Sequence, residues 1–286
     1  MTRVPSLTLL AQSVLSGIFV GGLYGLLGLG LSLSWGFLRL INLAHFALAF
    51  LGAYLTYTLS TAFGLDPFWS LALVPPAFFV LGVLSQLLFT RFGVTQFGSL
   101  LVTFGLTVMI ESLIQWVWTA DYRRLETAYG AVSWRVGPLF LPKPELLALV
   151  TAAALSALTW AWLRYTWVGK GLRACIEDPQ IAAAFGVNHR RLGLLLSGLA
   201  AAFAGVAGAF VALIYTLAPA QIYAWIGVVF AAVLLGGLGN PLGPLVAGVV
   251  IGVSEALTMA LTAPSWAPLV SFTLLILVLL LRPDRI

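Results

Sequence analysis

Charge is what this 286-residue chain has least of. Asp, Glu, Lys and Arg make up 8% of it, whereas a soluble domain holds about a quarter. That scarcity, with 61% hydrophobic residues and a mean hydropathy of +1.06, excludes an ordinary soluble domain and indicates an integral membrane protein. A single cysteine, Cys175, excludes an intramolecular disulfide, and two histidines leave no Cys/His metal cluster. There is no H-E-x-x-H and no G-x-S-x-G. The Gly-Lys of Val168-Gly169-Lys170-Gly171 lacks the preceding glycine and following Ser/Thr of a phosphate-binding loop. No catalytic residue, metal site or cofactor is therefore assigned to this chain, and any ATP it uses must be bound by another subunit.

What is present in quantity is uninterrupted apolar sequence. Runs such as Leu192–Leu217 do not alternate, which excludes a transmembrane β-barrel and leaves an all-α polytopic bundle. The apolar run after Arg3 continues from Val4 to Leu38, far beyond a signal-peptide core of roughly 7–15 residues, so it is expected to remain in the mature protein. Nine candidate spans follow: Ser6–Phe37, Leu40–Phe63, Pro67–Thr90, Gly98–Thr119, Pro144–Leu163, Leu192–Leu217, Tyr223–Leu238, Leu242–Leu261 and Trp266–Leu281. The first is long for one crossing and rich in glycine, which predicts a bent or interrupted helix, eight to ten spans in a single transmembrane domain over 1–286, and Arg3 inside if the segment makes two short passes. Gly17, Gly21 and Gly25, four apart, predict close helix packing.

The few charges are concentrated. Arg164–Arg191 holds five Lys/Arg, two acids and His189, and the positive-inside rule places it in the cytoplasm together with Arg91, Arg282 and Arg285. The net charge of +5 is thereby an orientation signal, and nucleic acid is given no weight as a partner. The loop of about 120–143 then falls outside, where TAYGAVSWRVGPLFLP reads as an ordered hairpin.

Polar groups inside the spans are functional candidates because they are costly there. Ser99, Thr103, Thr107, Glu111 and Gln115 recur every four residues and form one stripe, read equally well as interhelical packing or as pathway lining. Asn42 and His45 share a helix face and read as a structural hydrogen-bonding pair. Glu255 is a lone acid, read either as pairing with a neighbouring subunit or as capping a polar cluster. The segment Leu234–Pro244, with Gly236, Gly237 and Gly239, is either unwound backbone lining a path or a tight turn between helices.

Three stretches in order carry a resemblance. Gln180-Ile181-Ala182-Ala183-Ala184-Phe185-Gly186 lies on the E-A-A-x-x-x-G element of an ABC-importer coupling loop, with Gln180 and Ile181 departing from it. GGLYGLLGLGLSLSWGFLRLINLAHFALAFLGAY and VLLGGLGNPLGPLVAGVVIGVSEAL match two further family stretches, including Asn42, His45 and Glu255, while Phe46-Ala47 stands where the family often has Gly-Glu. The chain resembles the bacterial branched-chain amino-acid permease family of LivH type. The resemblance implies a permease in the bacterial inner membrane, with a LivM-type permease subunit, two ABC ATPase subunits holding ATP and Mg, and an external or periplasmic substrate-binding protein as partners. Related sequences accompany urea and short-chain amides, and an ion-coupled carrier or a non-transporting scaffold are the rival readings. Glu177, Asp178, Pro179 and the residues from Gln180 to Gly186 become the expected ATPase-coupling knob, a short helix started after Asp178-Pro179 and stopped by Gly186. Ala182–Ala184 are expected to let a partner approach closely.

Overall fold

A computed structural model describes residues 6–127, 129 and 133–281. It is an all-α bundle with one small hairpin. The helices are α1 Leu7–Leu38, α2 Ala44–Thr61, α3 Ser70–Arg91, α4 Gln96–Trp118, α5 Lys143–Tyr165, α6 Trp167–Glu177, α7 Pro179–Ala184, α8 His189–Ile214, α9 Ile222–Gly236, α10 Gly243–Leu261 and α11 Ala267–Leu281. Every expected span is found as a helix. Seven helical segments are long and apolar enough to cross a bilayer, and α2 and α11 pack among them. Arg3, Arg282 and Arg285 lie outside the described residues.

In the first segment the expected interruption is absent. α1 is one continuous helix of 32 residues, about 48 Å long, enough for a single crossing. Gly17, Gly21 and Gly25 make the close helix contact their spacing predicts: a Cβ on Gly17 would sit 2.5 Å from the Val253 Cα, and one on Gly25 would sit 2.6 Å from the Leu245 Cα. Gly248 and Gly252 of α10 face back toward Gly21 and Gly17, so the two backbones touch along their length. In a bilayer, where lipid is as apolar as leucine, such close approach supplies the attraction between helices. The surplus length of α1 extends toward the hairpin, where the Phe140 N–H donates to the Gln12 Oε1 and the Gln12 Nε2 donates to the Phe140 carbonyl.

That hairpin is the expected ordered element of the long loop. β1 (Ser133–Val136) pairs antiparallel with β2 (Leu139–Pro142), joined through Gly137 at φ 62°. On the same side, Arg123 and Leu217 exchange backbone hydrogen bonds of 2.9 and 2.6 Å. The bundle thus has a hairpin end and, opposite it, an end carrying α6 and α7.

α1 and α8 form the centre: two thirds of each span is buried, against 17% for α3, 22% for α4 and 28% for α5. α8 is lined by Gly198, Gly205, Gly208 and alanines, which lets α2 and α3 pack closely against it; Gly205, for instance, meets the Phe78 ring. The side chains filling the centre include Leu26, Phe46, Phe50, Tyr54 and Phe210. α3, α4 and α5 show Leu, Val, Phe and Met to the surroundings, as helices against lipid do.

The true break in the bundle falls after α1. Arg39, at φ 54°, turns the chain back, and Arg39–Leu43 runs without helix before α2 starts beside the Leu27 carbonyl. Leu27 lies about 16 Å up α1 from its end at Leu38, so α2 begins inside the bundle. By contrast, Leu234–Pro244 resolves into a tight turn between α9 and α10. Gly237 and Gly239 take φ 88° and 75°, and the Gly239 N–H donates to the Ser32 carbonyl at 3.1 Å.

Candidate functional site

The polar segment 164–191 folds as an elbow of two short helices. Its three helix starts are each capped by a side-chain oxygen: Thr166 accepts from the Gly169 N–H, Asp178 Oδ1 from Gln180 and Ile181 at 2.9 and 3.0 Å, and Asn188 from Arg191 at 3.0 Å. Pro179 takes the first helical position of α7. α7 ends as expected at Gly186, φ 84°, with the Val187 N–H on the Ala182 carbonyl and the Gly186 N–H on the Ala183 carbonyl, a Schellman stop. Asp178 is therefore occupied in capping, while Glu177 closes α6 in the open.

Exposure revises which residues of the knob a partner meets. Ala182 is 2% exposed and faces its own fold, so it drops out of the expected contact face. Gln180, Ile181, Ala183, Ala184, Phe185 and Gly186 are exposed, Phe185 at 86%. Two bare apolar side chains, Ile181 and Phe185, thus stand on α7 and just after it.

Helix α6 was not foreseen as a separate element. Its signal is the three-residue spacing of Gly169, Leu172 and Cys175, which are buried, against Trp167, Lys170 and Arg173, which are exposed. The Cys175 thiol is free, and burial pushes its pKa up, so it is an unreactive packing group. Gly169 lies against the Leu163 backbone, where a Cβ would collide, so α6 is pressed onto the end of α5.

The intramembrane polar residues separate into three groups. Ser99 and Thr103 hold the Arg39–Leu43 joint: their hydroxyls accept from the Ile41 and Leu43 N–H at 3.1 and 3.0 Å, and the Thr103 hydroxyl also reaches the Ile41 carbonyl at 3.1 Å. Thr107 bonds within its own helix, to the Thr103 carbonyl. His45 is 1% exposed, and its Nε2 lies 2.9 Å from the Leu27 carbonyl. The expected Asn42–His45 side-chain pair does not form, because the His45 ring turns to α1. Only the backbones meet, and the Asn42 Oδ1 is buried without a hydrogen-bond partner.

Farther along the stripe, Glu111 accepts from the Tyr223 hydroxyl at 2.6 Å and from the Gln115 amide at 3.2 Å. Glu255, 9% exposed, accepts from the Tyr24 hydroxyl at 2.9 Å and from Ser271. Tyr24, Tyr223, Glu255 and Ser271 line one cavity of about 410 Å³ between α1, α9, α10 and α11. The turn glycines Gly236, Gly237 and Gly239 sit at the elbow end, Gly236 packed on Gly243. Among the described residues, no group of three His, Cys, Asp or Glu is placed to hold a metal ion.

Residues 13–279 match the family described as branched-chain amino acid transport system / permease component. The chain is 27% identical to the high-affinity branched-chain amino acid transport system permease protein LivH of Salmonella typhimurium, over 96% of this chain and 94% of that one. It is 26% identical to the corresponding protein BraD of Pseudomonas aeruginosa, with the same coverage. It is 28% identical to a probable LivH of Methanocaldococcus jannaschii, over 95% and 91%. No solved structure matches it.

Proposed function

Because the chain belongs to the family of branched-chain amino acid transport system permease components, we propose that it is the membrane-spanning permease subunit of an ATP-driven importer for leucine, isoleucine and valine. The family match across residues 13–279 is the observation that carries this reading. In it, the elbow faces the cytoplasm, the hairpin faces outward, and the membrane is the bacterial inner membrane. A LivM-type subunit completes the pathway, two ATPase subunits bind ATP and Mg, and an external binding protein delivers substrate.

The elbow suits energy input. Ile181 and Phe185 offer apolar anchors for an ATPase groove, the kind of exposed apolar group that marks an interface. Capped at both ends, α7 transmits force as a body. It is joined through α6 to α5 and directly to α8, whose buried span lies against α1, α2 and α3. A push on the knob therefore reaches the centre of the bundle through α6, which packs on α7, α5 and α8.

The test is reconstitution in vesicles with the two ATPases, the companion permease and the binding protein. ATP-dependent leucine uptake that persists when a protonophore collapses the gradient is the expected result. Uptake driven by the gradient without ATP would replace this reading with an ion-coupled carrier, and ATP-driven uptake of urea in place of leucine would move the substrate.

A further inference from the structure

We infer that the cavity floored by Glu255 is a binding site for the ammonium group and aliphatic side chain of an α-amino acid, read independently of its carboxylate. The inference rests on the function proposed above and names the residues that would perform its recognition.

The cavity reaches toward the hairpin end, since Tyr223, Met259, Pro264 and Ala267 of its lining stand near the α9, α10 and α11 ends on that side. Glu255 lies about 9 Å below the end of α10 at Leu261, a depth at which a carboxylate is costly unless satisfied. Both groups that donate to it, the hydroxyls of Tyr24 and Ser271, are neutral. They take one bond on each oxygen and leave acceptor capacity on a carboxylate that can take about four. A cation completes such a site, and an ammonium with three N–H donors is the one an amino acid brings.

The rest of the lining fixes what accompanies that cation. Gly227, Val228, Met259 and Phe272 present apolar surface suited to a branched hydrocarbon chain. No Lys, Arg or His is among the lining residues, so nothing cationic meets the substrate carboxylate, which is left toward the water at the mouth. About 410 Å³ falls in the range of small-ligand sites. A second carboxylate, Glu111, is tied to the rim through the Tyr223 hydroxyl and adds negative potential at the entrance.

The test uses the full chain with Cys175 replaced by serine and Ala224→Cys as reporter on the cavity wall, purified with its co-purifying partners into phosphatidylglycerol nanodiscs, which supply no amine headgroup. The rate of modification by a membrane-impermeant thiosulfonate is measured with competitors. Leucine and leucinol, which keep the ammonium, are expected to slow it at least threefold, and 4-methylpentanoate, which lacks it, to leave it unchanged. Glu255→Gln abolishes protection, and Tyr24→Phe weakens it severalfold. Equal protection by 4-methylpentanoate, or protection intact in E255Q, overturns the inference. A preparation containing phosphatidylethanolamine that loses the leucinol effect identifies the lipid amine as the occupant, and also overturns it. In vesicles, E255Q is expected to lower ATP-driven leucine uptake at least tenfold. Absence of uptake with the native chain defeats the proposed function alone, since the protection measurement decides the cavity separately.

Discussion

Helices α7 and α2 begin by opposite means. α7 is started by its own neighbours: Asp178 caps it, Pro179 opens it, and Gly186 stops it eight positions after that cap. α2 has Leu43 before it, with no side-chain cap, and the backbone leading into it is held by Ser99 and Thr103, 58 and 60 residues away. The difference follows from the solvent. At the elbow, water satisfies an uncapped N–H, so a cap only sharpens the shape. Inside the bundle no water replaces it, and an unsatisfied amide costs several kcal/mol. The α1–α2 joint is thereby dependent on α4 being docked, whereas the start and stop of α7 are made by its own neighbours in sequence.

This contrast is broken most severely at the joint. Replacing Ser99 by Ala and Thr103 by Val keeps the shape but orphans two backbone N–H groups, at about 1–3 kcal/mol each. The expected outcome is a large fall in the thermal aggregation midpoint in detergent, greater than the sum of the single variants. Stability equal to the native protein would mean that the joint finds other partners. Next in size is Gly30→Ala, whose Cβ would sit 2.5 Å from the His45 ring and 2.6 Å from the Ala200 carbonyl. Overpacking of this kind costs about 1–3 kcal/mol, and because one neighbour is backbone, α1 and α8 must part. Fluorescence-detected size-exclusion yield should fall, and replacing His45 by a smaller residue in the same chain should restore part of it.

The same contrast explains what was legible in the sequence. Proline, glycine and charge interrupt the apolar runs at the span ends, so every span could be placed, and α7 with its caps could be read in full. Glycine is ambiguous between an interruption and a contact, and Gly17, Gly21 and Gly25 belong to the second class because α10, more than two hundred residues later, lies on them. His45 and Asn42 have the spacing of a pair, yet the ring finds the Leu27 carbonyl on another helix. Glu255 could be flagged as a lone acid, but its partners Tyr24 and Ser271 come from helices whose adjacency no local pattern encodes. Local hydrogen bonding is written in the sequence, and tertiary satisfaction is written only in the packing.

The smallest expected effect tests the elbow side. Asp178→Ala removes the acceptor for two N–H groups of a six-residue helix, worth about 1 kcal/mol. Since α7 lies outside the spans, the aggregation midpoint of the isolated chain should hardly move. A helix that frays before docking must be ordered at the moment of association, so ATPase affinity should fall about fivefold. Asp178→Asn separates the two roles of this residue, because Asn caps as well as Asp but carries no charge. Recovery of ATPase binding in D178N assigns the effect to the cap. Failure to recover would assign it to the negative charge of Asp178, which no cap geometry can replace.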